Sequence, residues 1–281
     1  MGHCRGIHPR LEQRTRTSVH EPRDDLHNLL RKVGKHYLEV LVAGFWGFVG
    51  GVSLLIGALL GLYAGASQRI ISVVMGVGAG VLISSVAFEL MDEVYKTGGF
   101  DAASIGLLLG AVLYFGADWA VSRRGGKHRK RSQGQQEGGS ATAITIGALM
   151  DGIPESVAIG VSLIGGGAVG FVMVAAVFLS NVPESLSAAS GMKKAGRPTG
   201  HIIGLWSAVV AISAVSALFG YLFLAGASGN VIAAIQAFAA GAILTMLAST
   251  MMPEAYQEGG PAVGVVTTVG FLVAFILGKL E

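Results

Sequence analysis

The chain has 281 residues, 52% of them hydrophobic and only 13% charged, with a formal net charge of +3. That balance excludes an ordinary soluble enzyme of this length, which needs far more charge to cover its surface, and belongs to the membrane class. The single cysteine, Cys4, excludes an intrachain disulfide framework and a thiolate metal cluster, and the basic residues gather beside apolar runs, which speaks for lipid and topology and against nucleic acid.

Residues 1–25 are polar and arginine-rich, lack the apolar stretch of a secretory signal, and read as a loose tail. Leu26, Leu29, Leu30, Val33 and Tyr37 then recur at helical spacing beside Arg31, Lys32 and Lys35, so the basic tail, 1–38, ends in an interfacial amphipathic helix. From 39 to 281 the chain reads as one transmembrane domain. Its apolar spans fall at 39–64, 70–92, 101–121, 141–164, 166–191, 201–225, 230–252 and 261–279, each near the ~20 residues that cross a bilayer as a helix. The expected fold is an all-α integral membrane protein with eight transmembrane helices, placed in the cell membrane. The polar stretch 122–140, with Arg123, Arg124, Lys127, Arg129, Lys130 and Arg131, reads as a flexible cytoplasmic loop, which puts both termini outside; Arg31, Lys32 and Lys35 pull the other way. The 43 glycines sit inside the apolar runs, where they let helix backbones approach closely.

An internal repeat runs through these spans. Residues 79–99, AGVLISSVAFELMDEVYKTGG, align with 240–260, AGAILTMLASTMMPEAYQEGG, matching Ala-Gly, Glu93 with Glu254, Tyr95 with Tyr256 and the closing Gly-Gly. DGIPESVAIG at 151–160 echoes SNVPESLSAA at 180–189. The second and seventh spans, and the fourth and fifth, cross in opposite directions, so these are inverted repeats, a transporter pattern with its substrate site near the midplane at the repeat interface.

Asp151 and Glu155 are four apart and stack on one helix face, as do Ser180, Asn181 and Glu184 on the next span. Ionisable groups at that depth are costly unless paired, and neither span offers a lysine or arginine within its apolar run, so a bound cation is the natural partner. Pro154 and Pro183 each precede a glutamate and leave the carbonyls of Met150 and Leu179 short of a donor, which adds candidate oxygens. Gly152, Ser156 and Gly160, with Ser185 and Ala188, are small enough to let the two helices close. One Pro-Glu pair alone would be explained as well by a kinked helix with a protonated, satisfied glutamate; two in equivalent places on adjacent spans weigh against that.

This pattern resembles the ZIP (Zrt-, Irt-like) family of metal transporters, whose members carry His-Asn-x-Pro-Glu-Gly or a close variant on the fourth span and a similar Pro-Glu segment on the fifth. The resemblance covers about 39–281, including Pro253-Glu254 on the seventh span. It implies an eight-helix bundle, a binuclear metal centre between the fourth and fifth helices, and transport of zinc, iron, manganese or related cations into the cytosol. By position, Glu155 and Glu184 fall on the family's bridging glutamates and Asn181 on a polar ligand. The chain departs from the pattern at Asp151, where histidine is usual, at Gly152 in place of asparagine, and at Ser180. Aligning Ala217 to Tyr221 with the family's sixth-span Ala-Leu-Leu-Gly-Tyr puts Ser213 where several members have a ligating glutamate, so the second metal position has lost ligands.

The expected metal ligands are therefore Asp151, Glu155, Ser180, Asn181 and Glu184, with Glu89, Ser213 and Glu254 as pathway candidates. An all-oxygen set leans towards Mn²⁺, Fe²⁺ or Mg²⁺, whereas Zn²⁺ usually recruits histidine; all seven histidines lie outside the spans or at a span edge. Asp92, Glu93 and Glu258 read equally well as solvated helix-end charges. The divalent ion is the substrate, the metal and the bilayer are the partners, and a homodimer is left open. An intramembrane hydrolase is disfavoured, since there is no HExxH motif and no Ser-His pairing. A proton-coupled carrier of an organic solute and a transport-inactive metal-binding protein remain as alternatives.

Overall fold

The computed structural model describes residues 22–65, 67–127, 141–164 and 171–280, and every regular element among them is helical. The tail before residue 22 and most of the expected loop, 128–140, lie outside the described residues. The chain divides into two units, Met1–Leu38 and Glu39–Glu281. The elements are α1 (Pro22–Tyr63), α2 (Gln68–Ser85), α3 (Met91–Val121), α4 (Ala141–Ser162), α5 (Phe171–Lys194), α6 (Thr199–Leu224), α7 (Gly229–Met246), α8 (Met252–Gly259) and α9 (Ala262–Leu280). Single π-helical turns at Val86–Leu90 and Leu247–Met251 join α2 to α3 and α7 to α8, and a third, Ser122–Gly126, follows α3.

Among the described residues, five helical stretches are long and apolar enough to cross a membrane: Val33–Tyr63, Gln68–Gly126, Thr199–Leu224, Gly229–Gly259 and Ala262–Leu280. Helices α4 and α5 are not in that set. At 22 and 24 residues they have the length for a crossing at about 1.5 Å per residue. Three boundaries differ from the sequence-based expectation. Helix α1 begins at Pro22, ahead of the first expected span at 39–64. The second and third spans are one helical run broken only at Gly99, and residues 122–126 continue α3 as a π turn instead of starting a loop.

Glycine sets the helix neighbours. A Cβ on Gly80 would overlap the carbonyl of Thr267, and one on Gly270 that of Val77, so α2 and α9 touch backbone to backbone. Gly110 meets Phe238 and Gly241 meets Leu107 in the same way, joining α3 to α7. Gly152 faces Val209 and Ser213 while Gly160, two turns on, abuts Ala217, so α4 runs parallel to α6; Gly47 and Gly51 set α1 antiparallel to α6, and Gly57 and Gly61 set it parallel to α5. Such close approaches maximise dispersion between helices where lipid supplies no hydrophobic drive.

The sequence repeat has a backbone counterpart. The π turns Val86–Leu90 and Leu247–Met251 occupy the same place in the two copies, closed by Met91 N–H to Val86 O and Met252 N–H to Leu247 O. Only the second copy has a proline there, Pro253, so proline is not the cause. Gly99 (φ 68°, ψ −168°) and Gly260 (φ 63°, ψ −156°) end both copies in a conformation that side chains rarely adopt. The start of α7 lies beside the end of the first copy, Gly229 against Thr97, and the end of α8 beside the start of α2, Gly259 against Ser72.

Candidate metal centre

Helices α4 and α5 meet over a single glycine of α1. A Cβ on Gly50 would lie 3.2 Å from Ile159 and 3.5 Å from Val177. Because α4 is parallel to α6, and α6 is antiparallel to α1 and hence to α5, α4 and α5 run antiparallel. Stepping from this meeting point one turn back along α4 and one turn on along α5 reaches Glu155 and Asn181; a further turn reaches Asp151 and Glu184. The register thus sets the acids of α4 level with the polar groups of α5.

All five expected ligands are buried: Asp151 at 3% exposure, Glu155 at 2%, Ser180 at 0%, Asn181 and Glu184 at 4%. No lysine, arginine or histidine is among the described buried side chains. The lysines of α5, Lys193 and Lys194, are exposed at its C-terminus, where Lys193 donates to the carbonyl of Leu62. Asn181 Nδ2 donates to Gly50 O at 3.2 Å, and Ser53 Oγ donates to the same oxygen, so the amide of Asn181 is anchored through its nitrogen and its oxygen is the atom suited to a cation. Ser180 donates to Val177 O at 3.0 Å and Ser185 to Asn181 O at 2.7 Å; a hydroxyl that donates to its own helix keeps its lone pairs as acceptors.

Two expectations need correction. Gly152 and Gly160 do not bring α4 to α5: Gly152 faces Val209 and Ser213 of α6, and Gly160 faces Ala217. Ser185 likewise packs against Gly57 of α1. These small residues bind α4 to α6 and α5 to α1. The carbonyl of Leu179, exposed by Pro183, lies against Gly78 of α2, where a Cβ would be 3.0 Å from it.

Among the described residues, no three histidine, cysteine, aspartate or glutamate side chains form a group that could hold a metal ion. Asp151 has a partner that the sequence did not suggest. Tyr114 of α3, buried at 4% exposure, donates its hydroxyl to Asp151 Oδ1. Its one signal was a lone tyrosine in an aliphatic and glycine-rich span, since a buried phenol usually finds an acceptor.

The pathway candidates separate. Ser213 is buried at the junction of α1, α4 and α6, beside Gly51 and Gly152. Glu254 is buried at 4% exposure and accepts from Ser187 Oγ of α5 at 3.3 Å, so it approaches the α5 face that carries Glu184 one turn earlier. Glu89, in the first π turn, lies beside Gly278 of α9. Asp92 and Glu93 are exposed, one paired with Lys96 at 2.6 Å and the other accepting from Thr97 at 3.1 Å, as solvated helix-end charges do.

No family model matches the chain. Over 192 residues, 66% of the chain, it is 24% identical to a protein of Arabidopsis thaliana that bears the name "Putative zinc transporter". The match spans 30% of that relative's length.

Proposed function

We propose that the protein is a multi-pass membrane transporter of divalent metal cations, of the ZIP type, with its cation site between α4 and α5. The observation that carries this reading is the burial of Asp151, Glu155 and Glu184 on consecutive helices of membrane-crossing length, in an interior whose described buried side chains include no basic residue. The name of the Arabidopsis thaliana relative supports metal transport, with zinc as one candidate cargo. Eight crossings follow if the run Gln68–Gly126 turns at Gly99 and α4 and α5 cross as well. An inverted repeat is supported by the matching π turns and by the placement of Gly229 beside Thr97 and Gly259 beside Ser72, which sets the two copies antiparallel.

A dehydrating cation is held by Glu155 and Glu184, joined by Asp151, the Asn181 amide oxygen and the Ser180 hydroxyl. It leaves towards the cytosol as water or protons take over the carboxylates, with Glu254 and Ser213 beside the route. The oxygen donors favour Mn²⁺ and Fe²⁺ over Zn²⁺. Nothing in this scheme needs a covalent step, and the protein acts as a carrier and not as an enzyme.

Uptake of a panel of divalent ions into proteoliposomes tests the reading. Glu155→Ala and Glu184→Ala should each lower metal uptake at least about 100-fold, since even the hydrogen-bond partners of metal ligands are worth about 10- to 100-fold. Both variants should still reach the membrane. Unchanged uptake in both would remove the site, and no flux of any ion by the native protein would leave metal binding without transport or an organic solute as the cargo.

A further inference from the structure

The hydrogen bond from Tyr114 to Asp151 joins α3 to α4 across residues 37 apart in sequence, and both side chains are buried. Tyr114 stands on a helix with little slack, because Gly106 and Gly110 place α3 in backbone contact with α7. Its ring is stiff, so Asp151, with a short side chain, is the movable member of the pair. By the register of α4 against α5, Asp151 is level with Glu184 and Glu155 is one turn away on α4, yet the three do not form a group that could hold a metal. Asp151 accepts a hydrogen bond from a neutral donor on α3.

From these observations, and resting on the reading of Glu155 and Glu184 as cation ligands, we propose that Tyr114 is a positioning residue that withholds Asp151 from the cation site. A divalent ion arriving at Glu155 and Glu184 recruits Asp151 by displacing the phenol. When the ion leaves, the phenol takes the carboxylate back. The cost of breaking a hydrogen bond to a charged acceptor is thereby set against the gain of a third carboxylate. Affinity is lowered, which suits a carrier that must let its cargo go.

The test is calorimetric binding of Mn²⁺ and Zn²⁺ to the purified full chain, native and variant. Tyr114→Phe keeps the ring and removes only the donor, so it should tighten binding about 10- to 100-fold. In an Asp151→Asn background the same change should have no effect on affinity, because Tyr114 acts through that carboxylate. A purely structural tyrosine would weaken binding or leave it unchanged, and either result overturns the proposal. Should Tyr114→Phe fold poorly, a fluorine label on the Tyr114 ring of the otherwise native chain should shift its resonance on saturation with Mn²⁺'s diamagnetic substitute, Zn²⁺; no shift under full binding also overturns it. A native chain that binds neither ion contradicts the reading of the site and takes this inference with it, whereas native binding that Tyr114→Phe leaves unchanged overturns the inference alone.

Discussion

The α2–α9 pair and the α4–α5 pair are built on opposite principles. Gly80 and Gly270 put α2 and α9 in backbone contact, with carbonyls filling the space a side chain would need. Helices α4 and α5 instead meet through Ile159 and Val177 over Gly50, and bury carboxylates, an amide and hydroxyls along their length. Each is tied to another helix, α4 to α6 and α5 to α1. One pair is a rigid frame. The other meets over one glycine of a third helix, and both of its members carry buried polar side chains.

Breaking the frame should have the largest effect. Gly80→Leu forces a side chain into the Thr267 carbonyl and Phe271 backbone, and should cost about 3 kcal/mol or more, read as loss of a monodisperse folded peak and of thermal stability in detergent. A stable Gly80→Leu protein would mean that α2 and α9 can part freely. Ser187→Ala sharpens the contrast from the other side. It removes a hydrogen bond from buried Glu254, and should lower stability by about 1–3 kcal/mol while sparing the α2–α9 packing. The melting temperature of that variant checks it. Gly116→Ala is the smallest. A Cβ there meets nothing within 4 Å, so the change should be neutral or stabilise the helix by up to about 1 kcal/mol, and a clear loss of stability would reveal packing on that face of α3.

Much of this was legible in the residues. The apolar runs marked the helices, and the repeat of 79–99 in 240–260 carried through to paired π turns and paired glycines with positive φ. The π turns themselves left no mark, since Val86–Leu90 and Leu247–Met251 share neither proline nor a common breaker. The Pro-Glu segments identified the buried acids, because charge inside an apolar run is conspicuous. Which way each helix faced was not readable. Glycine spacing on α4 fits an approach to α5 or α6 equally well, and only the packing selects α6. The hydrogen bond from Tyr114 to Asp151 was hidden for a related reason, as an aromatic residue in an apolar span announces burial without naming its partner.

The most direct measurement of the central claim is the anomalous diffraction of crystals grown with Zn²⁺ or Mn²⁺. A peak between α4 and α5, with oxygens of Glu155 and Glu184 at about 2.0–2.2 Å and Asp151 turned from Tyr114 towards the ion, is the result expected of a carrier built this way. A peak at Glu89, at the exposed Asp92 and Glu93, or at no buried position under saturating metal would contradict it.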